Sequence, residues 1–158
     1  MRKLVLLALL LVAGAASADE WTSYRSTAAH YTAQFPGTPK ESRFNAGASY
    51  GTLAMLKLRN ATYGVTALDR DSKSRKDPAA ALDELRHLAK SEHVAVTPVS
   101  VNGHDGLEAR TSHDGVTALH RLYVLDNREY HVFALAPAGK ESVRDMMRFL
   151  DSFTIDGD

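Results

Sequence analysis

The chain has 158 residues, with 19 basic and 19 acidic side chains, seven histidines and no cysteine. A formal net charge of zero argues against a nucleic-acid binder that works by neutralising phosphates, and against adhesion to anionic lipid. Without cysteine there are no disulfides, no thiolate nucleophile and no thiolate metal ligand.

Met1 to Ala18 reads as a secretory signal: Arg2 and Lys3, an apolar run from Leu4 to Ala13, then Ala16-Ser17-Ala18 as an A-x-A-type cleavage site. The run is too short to span a bilayer and no later segment is longer, so no stable membrane insertion is expected after cleavage. The expected product is one periplasmic or secreted domain over residues 19–158, long enough to bury a single core. Cleavage removes two basic residues and no acidic one, which leaves the mature chain slightly acidic.

Trp21 and Tyr24 open that domain. Tyr31 to Phe35 alternates like a strand and stops at the turn Pro36-Gly37-Thr38-Pro39. Lys40 to Asn45 is extended with little apolar content, hence an edge, and Ala46 to Tyr50 is a loop. Thr52 to Leu58 and Tyr63 to Leu68 form the next strand pair, joined around Asn60-Ala61. The mixed charges from Asp69 to Asp77 read as a solvated connector, with Arg70 and Lys73 as binding candidates within it. Asp77-Pro78 starts a helix, an acid cap followed by proline at the first helical position. Ala81, Leu82, Leu85, Leu88 and Ala89 carry its apolar stripe as far as about Ser91. Val94 to Val101 is a strand that Pro98 confines to an edge or a bulge.

The stretch from Asn102 to Phe153 organises the rest. Asn102-Gly103 and Asp114-Gly115 are turn signals, and Asp-Gly suits a type I′ hairpin because both positions tolerate positive φ. Closing that hairpin sets Ser112 opposite Thr117, Arg110 opposite Leu119 and Glu108 opposite Arg121, which is a cross-strand ion pair. A second turn centred on Asn127-Arg128 sets Leu125 opposite Tyr130 and Tyr123 opposite Val132. One face then carries His120, Leu122, Val124, His131, Phe133 and Leu135, and the other Arg121, Tyr123, Leu125, Tyr130, Val132 and Ala134. Both are largely apolar, which suits strands covered on both sides. After Pro137 and Gly139, Glu141 to Ser152 has helical spacing with Val143, Met146, Met147, Leu150 and Phe153 in one stripe. The class is α+β, with a central, mostly antiparallel sheet flanked by helices.

Four pieces in order resemble the PsbP-like superfamily: Tyr31…Phe35-Pro36-Gly37-Thr38-Pro39; Asn102-Gly103…Gly106-Leu107-Glu108; Arg121-Leu122-Tyr123-Val124 through Asn127-Arg128 to Tyr130; and Arg148 to Phe153. The resemblance covers most of Tyr24 to Ile155. It implies an α/β/α sandwich and roles in binding and assembly without chemistry of their own. It carries over no site residue.

No constellation for catalysis is legible: no G-x-S-x-G elbow, no H-E-x-x-H pair and no phosphate-binding glycine loop. The chain therefore reads as non-enzymatic, with no cofactor. His104 and His113, each followed by aspartate in a turn, are metal candidates only if they converge with a third ligand; the turns explain those residues without a metal. His120 and His131 share a face without being directly opposite, and read as satisfied sheet histidines or the rim of a pocket. The expected function is a monomeric accessory, assembly or protein-binding domain whose partner is another periplasmic or envelope protein. The alternative is a small-molecule, lipid or metal-binding module, with a pocket lined by Tyr123 and Tyr130.

Overall fold

The structure, a computed structural model, describes residues 20–47, 49–70, 77–140 and 142–157. The expected signal segment, Lys73 and the expected helix start at Glu141 lie outside the described residues. The order is β1 (Thr22–Ser26), β2 (Tyr31–Phe35), β3 (Lys40–Ala46), β4 (Ser49–Lys57), β5 (Thr62–Asp69), α1 (Pro78–Ser91), β6 (Val96–Val101), β7 (His104–His113), β8 (Val116–Val124), β9 (Arg128–Pro137), α2 (Val143–Asp151) and β10 (Thr154–Ile155). The protein is mostly β: a seven-stranded antiparallel sheet ordered β3-β4-β5-β9-β8-β7-β6 and a small sheet ordered β1-β2-β10.

The Asp114-Gly115 turn forms as its sequence requires, with φ of 48° and 74°, and Asn102-Gly103 does the same at 50° and 80°. Left-handed backbone at both central positions matches the strand twist, so both hairpins close in two residues. Glu108 pairs with Arg121 in the expected register, and Arg121 Nε donates to the Glu108 carboxylate at 2.7 Å. The same guanidinium reaches Asp151 at 2.6 Å, tying α2 to the sheet.

The second hairpin corrects the expected register. Its turn closes with the Leu125 amide donating to the Arg128 carbonyl at 2.7 Å, so Asp126 and Asn127 are the central residues. Tyr123 therefore lies opposite Tyr130, Leu122 opposite His131 and His120 opposite Phe133. Moving a turn by one residue moves the pairing by two. A two-residue slip keeps every side chain on its face, so the face assignment survives while the cross-strand partners change.

One sheet face is sealed. Val65, Tyr130, Val132 and Ala134 meet Met146, Phe149 and Leu150 of α2 and Tyr31, Ala33 and Phe35 of β2 in a single cluster. The α2 stripe was expected without Phe149, yet Phe149 is fully buried and Val143 is 40% exposed. The small sheet is the reason. It covers α2 from a second side, with the Phe149 ring 4.8 Å from Phe35 of β2 and, on the large sheet, 5.3 Å from Tyr63 of β5, which widens and turns the buried arc. Two strands of that small sheet, β1 and β10, are too polar or too short to show an alternating pattern.

The other face is only partly covered. Along β9 every second residue is buried from Tyr130 to Ala136, while His131, Phe133 and Leu135 between them are half-buried. Helix α1 begins as expected, with the Asp77 carboxylate accepting from the Ala80 amide at 2.9 Å. Ala81 and Leu82 sit against Leu107 and Val124. Burial then fades along the helix until Leu88 is 56% exposed. The first turns are seated, and the last turns stand off the sheet.

Candidate functional site

Between the C-terminal half of α1 and the sheet lies an open groove of about 380 Å³. Leu85, Leu88 and Ala89 of α1 form one wall, and Val96, Leu107, Ala109 and Leu122 form much of the floor. Glu92 stands at the helix end of the groove. His120 and His131 complete the floor.

The corrected register makes those two histidines diagonal neighbours across β8 and β9. Their rings stack with centroids 5.1 Å apart, and His120 Nδ1 and His131 Nε2 share a hydrogen bond of 2.8 Å. The other nitrogen of His120 faces Thr111 Oγ1 on β7 at 3.3 Å. Thr111, His120 and His131 thus form one chain across three strands, ending in the groove. Burial is the first cause that lowers both imidazoles; for His131, with His120 beside it, the value falls to about 4. Both rings are neutral at pH 7. What the site offers is apolar surface with uncharged hydrogen-bonding nitrogen at its base.

His120 and His131, read from the sequence as satisfied sheet histidines or the rim of a pocket, lie in this groove; the other residues singled out in the sequence lie elsewhere. Tyr123 and Tyr130, expected to line a pocket, are 2% and 1% exposed. Tyr123 stacks on Phe153 at 5.6 Å, and the Tyr130 hydroxyl donates to the Ala29 carbonyl at 2.8 Å. They are core, because α2 and the small sheet fill the space a pocket would need. The Arg70 side chain, a binding candidate, is turned onto Glu129 in an ion pair, and neighbouring Asp69 is held by Arg128. His104 and His113 do not converge: they occupy opposite ends of the ten-residue β7, roughly 30 Å apart at strand rise. His113 pairs with its neighbour Asp114 at 3.0 Å. Among the described residues no group of three or more His, Asp or Glu is placed to hold a metal ion.

A pocket rimmed by His120 and His131 was one of the readings the sequence left open; its place beneath α1 was not specified, although a signal for it exists. A single helix about 10 Å across covers only two or so strands at ~4.8 Å spacing. A floor drawn from β6, β7, β8 and β9 is wider than one helix can roof.

No protein-family model matches the chain, and no curated protein matches it in sequence. Among solved structures it is similar to a crystal structure of a protein from Bacteroides thetaiotaomicron VPI-5482, with a TM-score of 0.51 and 13% sequence identity. The match covers 86% of this chain and 48% of the other, so this chain spans about half the length of that protein. At this identity the likeness is one of fold alone.

Proposed function

We propose that this chain is an exported, non-catalytic binding domain of the periplasm or cell envelope that holds a small apolar or amphiphilic molecule in the groove beneath α1. The observation that carries the reading is the groove: about 380 Å³, within the roughly 300–1,000 Å³ usual for small-molecule sites, apolar, with a few converging polar atoms. The signal-like N-terminus supports export. The large sheet, with α1 on one face and α2 on the other, supports the PsbP-like sandwich reading, whose members act by binding.

A protein partner in an accessory role is the second reading, favoured by Leu88, 56% exposed at the groove rim. Such a partner would dock on this face, since both sheet edges are poor templates for an added strand. β3 carries Lys40, Glu41 and Arg43, and β6 contains Pro98, which has no backbone N–H to offer.

Native mass spectrometry of the protein purified gently from its own cells tests both. The ligand reading expects a small adduct that a Leu88→Glu variant, changed at an exposed position, no longer retains. A stoichiometric protein companion lost on the same substitution would replace it with the accessory reading. A bare chain in both samples contradicts each.

A further inference from the structure

The chain Thr111–His120–His131 does more than satisfy polar atoms. Thr111 Oγ1 can donate or accept, and each neutral imidazole carries one donor nitrogen and one acceptor nitrogen. Two arrangements therefore fit the same coordinates. In one, Thr111 donates to His120 Nε2, His120 Nδ1 donates to His131 Nε2, and His131 presents an N–H at Nδ1. In the other every bond is reversed, and His131 presents a lone pair at Nδ1. Among the described residues the His131 ring makes no hydrogen bond besides that to His120, and Nδ1 is not one of the buried unpaired atoms. That leaves Nδ1 unsealed on a residue that lines the groove.

Resting on the ligand reading above, we propose that this chain is a two-way, uncharged anchor, and that the groove takes an amphiphile with an apolar body and one neutral hydrogen-bonding head, such as an alcohol. The Thr111 hydroxyl terminates the chain in either direction, so a donor or an acceptor on the ligand is met without creating charge and without moving a side chain. Charged heads fit poorly. A carboxylate finds no cation among the lining residues and meets Glu92 at the groove's end. An ammonium would be desolvated beside two histidines whose environment already disfavours charge.

Isothermal titration calorimetry of the folded domain at pH 7.5 with octanol, octanoate and 1-chlorooctane tests this. Octanol is expected to bind about tenfold more tightly than 1-chlorooctane, the value of one net hydrogen bond, and octanoate more weakly than octanol. His131→Phe is expected to level octanol with 1-chlorooctane while leaving 1-chlorooctane bound. Thr111→Val, remote from the ligand, is expected to reduce the octanol preference by breaking the far end of the chain. The imidazole ¹⁵N spectrum gives a second readout, in which His131 Nδ1 shifts with octanol and not with 1-chlorooctane. Equal affinity of octanol and 1-chlorooctane for the unaltered protein, or octanoate binding tightest, overturns the anchor and leaves the groove standing. No binding of any probe overturns both.

Discussion

Phe149→Ala is expected to lower the unfolding free energy by about 3–5 kcal/mol, the usual cost of emptying a buried phenylalanine site. Phe149 has no exposed surface, and its ring lies edge-on to Phe35 and Tyr63. It therefore joins α2, the small sheet and the large sheet at one point. Partners held by two separate sheets cannot both collapse into the vacancy, which places the loss toward the upper part of the range. Urea unfolding followed by circular dichroism measures it. The matched control is Leu88→Ala on the groove wall, expected to stay within about 0.5 kcal/mol because its side chain is already largely in water. A small loss for Phe149→Ala would mean that the sealed face is not the stabilising core.

Acidification is expected to cost about 2–3 kcal/mol through His131 alone. Its folded-state pKa is about 4 against an ordinary 6.5, lowered first by burial and then by His120. The unfolded chain therefore binds the proton first. The stabilisation is complete above pH 6.5 and is lost as pH falls from there toward 4. His120, also lowered by burial, adds in the same direction. The groups facing the pair are Thr111 from β7, Phe133 on its own strand, and the α1 wall of Leu85, Leu88 and Ala89 with Glu92 at its end. Chemical denaturation at a series of pH values is expected to give a falling limb between pH 6.5 and 4 that His131→Phe flattens. An equal limb in the variant would assign the acid sensitivity to other groups.

These two predictions concern opposite faces of one sheet, and the sequence disclosed them unequally. Helix α1 and its cap were legible to the residue, because Asp77-Pro78 has one structural meaning and the leucine spacing has one period. The Asp-Gly hairpin was legible down to its ion pair, because positive φ at both positions leaves few alternatives. The Asp126–Glu129 turn was not. Four polar residues in a row permit two centres, and the resulting two-residue slip is invisible to hydrophobic alternation. That slip hid the histidine pair, which exists only when His120 lies opposite Phe133 and His131 opposite Leu122. Tyr123 and Tyr130 were assigned to the correct face but to a pocket, since strand periodicity does not reveal that β1, β2 and β10 fold over that face and fill it. His104 and His113 looked adjacent as two neighbouring turns, but consecutive hairpin turns lie at opposite ends of the strand between them.

The groove between α1 and the large sheet is the proposed binding site of this domain. A two-dimensional NMR titration of the folded domain with octanol tests it most directly. The predicted result is a set of saturable shifts confined to Leu85, Leu88, Ala89, Val96, Ala109, Leu122 and the His120–His131 pair. Shifts centred on the Tyr123–Tyr130 side of the sheet, or scattered without saturation, would contradict it.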